Sequence, residues 1–90
     1  MIIRSQDKRR ITTDLNLHIE SIEVGKENIK RVFIKSEKMG TIGVYSTEEK
    51  AIKVLDMIME HYDEVMDARY WNDEYQENYF IMPSDEEVEV

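Results

Sequence analysis

The first half of the chain consists of short apolar segments separated by polar residues. Five of these segments are rich in β-branched residues, which is typical of β-strands: MIIRSQ (1–6), RITTDL (10–15), HIESIEV (18–24), KRVFIKS (30–36) and TIGVYS (41–46). Turn-forming residues separate them at Asp7 and Lys8, at 25–28 (GKEN) and at 37–40 (EKMG). The pattern predicts a small antiparallel β-meander of four or five short strands.

The alternation within the third segment is irregular. Ile22 and Val24 would share one face of a strand, whereas Leu17 and Ile19 would lie on the opposite face. Because successive side chains point to opposite faces of a sheet, we expect a β-bulge near Ser21 or a strand break before it.

A helical pattern follows the strands. Ser46 and Glu49 have the spacing of a capping box, in which each residue satisfies a free backbone donor of the first turn. Behind this cap, apolar residues recur every three or four positions: Ala51, Leu55, Ile58, Tyr62 and Val65, with Ile52, Met59 and Met66 on the adjoining row. The spacing predicts a long amphipathic helix at about 47–67, with Leu55 at the centre of its buried face.

The end of the chain contains one more apolar segment. Residues 79–82 (YFIM) predict a short strand or extended arm, stopped by Pro83, which has no N–H to donate to a sheet. The remaining SDEEVEV at 84–90 predicts an acidic flexible tail. Strands followed by a helix indicate an α+β fold, and we expect a single domain at 1–83.

Charge is distributed unevenly along the 90 residues, whose net charge is −8. Residues 1–59 carry 11 Lys/Arg against 9 Asp/Glu, whereas residues 60–90 carry only Arg69 against 11 acidic residues. An acidic protein is repelled by nucleic acid and by anionic membranes, both of which attract cations. The charge therefore favours a basic protein partner over direct binding to nucleic acid or membrane.

Several classes of function are disfavoured by what the sequence does not contain. There is no cysteine, no apolar run of membrane-spanning length, no secretory signal pattern and no glycine-rich phosphate loop. His18 and Glu20 have the spacing of one element of zinc deaminases, but the cysteines of that motif are missing. His61 has no second histidine four residues later, and we interpret it as a surface residue. We expect no catalysis, no metal, no cofactor and a cytosolic location.

Three segments resemble a set of small uncharacterised proteins carried by phages and prophages of Gram-positive bacteria. They are MIIRSQ at the start, GVYSTEEKAIKVLDMI at 43–58 and FIMPSDEEV at 80–88. The resemblance implies a phage accessory protein, and hence a protein that acts on the machinery of a bacterial host. It brings no catalytic residues that could be assigned to this chain.

The candidate binding residues lie in two clusters. Aromatic rings that are frequent at binding hot spots alternate with carboxylates near the C-terminus: Tyr70, Trp71, Asp73, Glu74, Tyr75 and Glu77. The alternative for this segment is that Trp71, with Phe80, caps the core beneath the helix. The second cluster is Lys8, Arg9 and Arg10, either a charged hairpin turn or a secondary contact for an acidic partner.

These features lead to a functional hypothesis. Carboxylates can stand in for phosphates and rings for bases, so the acidic aromatic segment predicts a nucleic-acid mimic that attracts a basic cleft. The leading hypothesis is a non-enzymatic phage protein that inhibits a nucleic-acid-dependent host defence protein, such as a CRISPR effector nuclease. The alternative is an oligomeric structural or assembly accessory, or a regulatory interaction module, whose helix face and Met57, Met59 and Met66 pack against copies of itself. A small enzyme or ligand-sequestering protein has no positive support.

Overall fold

A computed structural model describes residues 1–25, 29–71 and 79–90 of the chain. The elements found in these ranges are β1 Ile2–Arg4, β2 Ile11–Thr12, β3 Leu17–Val24, β4 Ile29–Ser36, β5 Gly40–Tyr45, α1 Glu48–Trp71 and β6 Tyr79–Ile81. The α+β class is confirmed, and each of the five predicted early segments contains a strand. Within the described ranges, no helix is long and apolar enough to cross a membrane.

The central sheet is the antiparallel meander β3-β4-β5. All eight residues of β3 pair with β4 without a shift, so the bulge predicted near Ser21 is wrong, and the register shift lies instead between Ile34 and Lys35 of β4. The alternation was misleading because Ile22 points away from the core and remains 45% exposed. When an apolar residue on the solvent face is taken for a core residue, the sequence pattern suggests a bulge that the strand does not have.

The first two strands form a separate sheet in the order β2-β1-β6. β1 pairs antiparallel with β2 and parallel with β6, with Ile3 opposite Phe80. The prediction of a single meander is therefore correct for β3–β5 only. The predicted C-terminal strand is confirmed at Tyr79–Ile81, and it pairs with the beginning of the chain.

The hydrophobic core lies between the two sheets, the helix and the end of the chain. Its buried residues form one cluster: Ile3, Val32, Ile34, Ile42, Tyr45, Ala51, Val54, Ile58, Met82 and Val88. Tyr45 donates its hydroxyl hydrogen bond to the carbonyl oxygen of Pro83 at 2.8 Å. Burial raises the pKa of Tyr45, so the hydroxyl keeps the proton that it donates.

The start of α1 differs from the predicted cap. Thr47, and not Ser46, accepts the backbone N–H of Lys50 through its side-chain oxygen at 3.2 Å, which is the N-cap contact. The Ser46 N–H and hydroxyl donate instead to Asp85 Oδ1, at 2.8 and 3.1 Å. The helix begins at Glu48, one residue after the predicted start, and ends at Trp71, four residues after the predicted end.

The C-terminal segment after Pro83 contacts the domain. Lys50 Nζ lies 2.9 Å from the backbone oxygen and 3.5 Å from Oδ2 of Asp85, and Val88 is buried at 4% exposure within the core. The Ser84 hydroxyl donates a hydrogen bond to Glu87 Oε1 at 2.9 Å and closes the turn between these two residues. This arrangement differs from the expected solvated tail. The acidic composition of the segment gave no indication that Val88 would be buried or that Asp85 would accept hydrogen bonds at the start of the helix.

Asp85 gives the fold a specific pH dependence. Its pKa is lowered mainly because the backbone N–H of Ser46 donates to the carboxylate, with Ser46 Oγ and Lys50 adding to the effect. A carboxyl group whose pKa is lower in the folded protein than in the unfolded chain stabilises the fold when the pH is above its unfolded-state pKa. This stability is lost as the pH falls through the folded-state pKa. We expect Asp85→Asn to be less stable than the parent at neutral pH, with the difference shrinking below about pH 4 in urea unfolding.

The matched control for this measurement is Glu86→Gln, which removes a carboxylate that makes no hydrogen bond or ion pair with the described residues. Its stability relative to the parent should stay constant over the same pH range. A constant difference for Asp85→Asn as well would contradict the role given to the Asp85 carboxylate.

Candidate protein-binding groove

The helix presents two neighbouring apolar rows that the sequence pattern merged into one face. The inner row, Ala51, Val54, Ile58 and Val65, is buried. The row beside it, which we call the outer row, consists of Ile52, Leu55, Met59, Tyr62 and Met66. Leu55 is half-buried and the other four are exposed, with Met59 66% and Ile52 50% accessible. The expectation that Leu55 sits at the centre of the buried face is wrong, because that centre lies at Val54 and Ile58.

A cavity of about 280 Å³ runs beside the outer row. Besides the helix, the cavity is lined by Met1 and by Leu15 and Leu17, which lie just before and at the start of β3. We call this cavity the groove, and its lining residues are Met1, Leu15, Leu17, Leu55, Ile58, Met59, Tyr62 and Asp63. Seven of these eight side chains are predominantly apolar, so the groove offers a hydrophobic contact surface to another molecule.

A row of carboxylates borders the outer row on the side away from the core. Asp56, Glu60 and Asp63 are exposed, and Asp63 also lines the groove. With 3.6 residues per turn, these positions follow the outer row around the helix. No ion pair or hydrogen bond among the described residues neutralises these three side chains. We call them the acidic rim.

The predicted aromatic and acidic cluster falls at and beyond the end of α1. The helix extends through Tyr70 and Trp71. The predictions for Asp73, Glu74, Tyr75 and Glu77 lie outside the described residues. What the structure adds is that the acidic surface already begins within the described helix, at the acidic rim.

The predicted basic cluster forms the turn between β1 and β2. Arg10 donates to the carbonyl oxygens of Met39 and Thr41 at 3.3 and 2.5 Å, so it ties this turn to the end of the β4–β5 turn and to the start of β5. Lys8 has a positive φ of 64°, and its carbonyl oxygen accepts both Arg4 guanidinium contacts at 3.0 and 3.1 Å. Arg10 is thus engaged in the fold, while the side chains of Lys8 and Arg9 remain exposed.

The two histidines have different surroundings. His18 is exposed and contacts Glu20 at 3.0 Å, and Glu20 also pairs with Lys35 at 2.7 Å. His61 is half-buried, not the fully exposed residue that was expected: its ring lies 5.9 Å from that of Phe80. Its Nε2 is buried and has no hydrogen-bond partner among the described residues. Among the residues that the structure describes, no group of three His, Cys, Asp or Glu side chains could hold a metal ion.

The groove was missed because its walls come from distant parts of the chain. One signal was present in the sequence: positions 52, 55, 59, 62 and 66 follow one another by three and four residues, as in a coiled-coil seam. The contribution of Met1, Leu15 and Leu17 has no such signal. Comparisons of the chain with protein-family models, with curated proteins and with solved structures give no match.

Proposed function

We propose that this chain is a non-enzymatic binding protein that attaches to a basic surface of another protein. The observation that carries the proposal is the outer row, a largely exposed apolar surface bordered by three carboxylates that have no cationic partner among the described residues. An exposed apolar surface of this kind contributes affinity when a partner buries it. The neighbouring carboxylates select a partner surface of positive charge and raise the rate of association.

We further propose that the partner is a nucleic-acid-dependent host defence protein, which the chain inhibits in the bacterial cytosol. The support for this narrower function is the resemblance to phage-encoded proteins and the net charge of −8. Proteins that hold nucleic acid do so with arginine and lysine clefts, and these clefts attract any surface that carries ordered carboxylates. Binding there would compete with nucleic acid without any chemical step.

The test of this function is a comparison of the parent with the triple variant Asp56→Asn, Glu60→Gln, Asp63→Asn. Expressed in bacteria whose defence nuclease targets an incoming plasmid, the parent should restore plasmid uptake and the variant should do so less. Purified partner should associate more slowly with the variant, by about tenfold or more at low salt, because neutralised side chains no longer steer the encounter.

The matched control neutralises three other exposed carboxylates, Glu23, Glu86 and Glu89, to their amides. It changes the net charge by the same amount and leaves the acidic rim intact, so at the same low salt its association rate should fall much less than that of the rim variant. Equal losses in the two triple variants would show that only the total charge matters. Binding and protection that are unchanged in the rim variant would contradict the proposal.

A further inference from the structure

We propose that the groove binds one amphipathic α-helix of the partner, with apolar residues at three- and four-residue spacing and with Lys or Arg along the edge that meets the acidic rim. This inference rests on the proposed binding function and names the partner element that the groove accepts. It concerns the described helix and N-terminal wall, and it does not depend on the aromatic segment at 70–77.

The spacing of the outer row favours a helical occupant. Alternating steps of three and four residues keep a row in contact with a second helix, because both helices present side chains with the same period. From Ile52 to Met66 the row covers about 21 Å, the length of four turns. The backbone groups of α1 are bonded within the helix, so an extended segment lying on the outer row would find no main-chain partners there.

The groove residues outside the helix support the same conclusion. Leu15 and Leu17 line the groove together with Met59 and Tyr62 of the helix, so an inserted side chain meets apolar atoms from two separate parts of the chain. Met59 adds a flexible side chain, which adapts to ligands of different shape. A groove of this form takes the apolar edge of a helix and leaves the opposite edge of that helix in water.

The charges decide between a foreign helix and a second copy of this chain. Two copies paired through their outer rows would bring two acidic rims to one interface, because a two-fold contact uses the same surface on both partners. Each rim offers three carboxylates, and among the helix side chains that the structure describes, helical spacing places one cation, Lys53, beside them. Like charges at an interface oppose association. A partner helix with Lys or Arg along one edge can instead form ion pairs with the carboxylates of the acidic rim.

The experiment is selection from a display library of random peptides of about 16 residues, long enough to cover the groove as a helix. The immobilised full chain is the bait, with Met59→Glu used for counter-selection, since Met59 is exposed and its replacement leaves the core intact. We expect enriched peptides with apolar residues at three- and four-residue spacing and Lys or Arg beside them. Their circular dichroism should become more helical on binding.

The selected peptide is then tested on defined variants. Its Kd should rise at least about tenfold for Met59→Glu and for the rim variant, and should hardly change for Ile22→Glu, which places the same charge on the opposite face of the central sheet. No enrichment, acidic peptides, or peptides with strand-like alternation would each overturn the inference. Concentration-dependent dimers in sedimentation that Met59→Glu abolishes would overturn it in favour of a second copy.

The outcomes also separate this inference from the function on which it rests. If the rim variant loses protection in cells while no helical peptide is selected, the binding function stands and the helical occupant is wrong. If helical basic peptides are selected while protection in cells never appears, the groove is assigned correctly and the host-defence function is wrong.

Discussion

Replacing Ile58 with Ala should lower the free energy of unfolding by about 2–5 kcal/mol. Ile58 is 5% exposed and belongs to the core cluster between the helix and the sheets. Removing three buried carbon atoms loses their transfer free energy and leaves a cavity that the surrounding side chains fill only in part. A domain of this length has a total stability of roughly 5–13 kcal/mol, so the loss is a large fraction of it. Equilibrium urea unfolding measures the change directly.

The matched control is the same substitution at Ile52, one position of the outer row in the same helix. Ile52 is 50% exposed, and alanine has the higher helix propensity, so the change should stay within about 1 kcal/mol. The pair therefore separates the two apolar rows of α1 without a change in residue type. Equal destabilisation at the two positions would show that the outer row is also part of the core and is not free to bind a partner.

The elements that sequence analysis predicted correctly are those that depend on neighbouring residues. Strands β3–β5 and helix α1 follow from β-branched segments, turn residues and helical spacing, all of which act over a few positions. The pairing of β1 with β6 joins Ile3 to Phe80, and no local pattern records such a contact. A single meander was predicted because it joins consecutive strands by the shortest connections. In the structure, the last strand, β6, instead pairs with the first strand, β1.

The functional surface was only partly predictable, for the same physical reason. Most apolar residues of α1 were identified, but Val54, which is fully buried, was not. A helix with two adjacent apolar rows does not itself show which row its sheets will cover. Val32 and Ile34 of β4 belong to one cluster with three residues of the inner row, Ala51, Val54 and Ile58, and this packing leaves most of the outer row exposed. The position of the acidic rim beside the groove could not be predicted from the sequence, because it depends on which segments pack against the helix.

The C-terminal segment is the element for which sequence and structure differ most, and its deletion tests the difference. Removing residues 84–90 should lower the free energy of unfolding by about 2–5 kcal/mol in urea unfolding. Burial of a valine such as Val88 contributes about 1.5–3 kcal/mol, and a carboxylate that accepts backbone N–H groups near a helix start contributes about 0.5–2 kcal/mol. The Asp85 contacts with Ser46 and Lys50 disappear in the same deletion.

Deletion of residues 89–90 alone provides the control, because it removes one carboxylate and Val90, which is 69% exposed, while Asp85 and Val88 stay in place. This shorter deletion should change the stability by less than about 0.5 kcal/mol. If the two deletions have equally small effects, residues 84–88 contribute nothing to folding and the expectation of a flexible tail stands. If only the longer deletion destabilises, then a loss of partner binding on removing 84–90 reflects unfolding, and the acidic end must be tested by amide substitutions that leave Asp85 and Val88 unchanged.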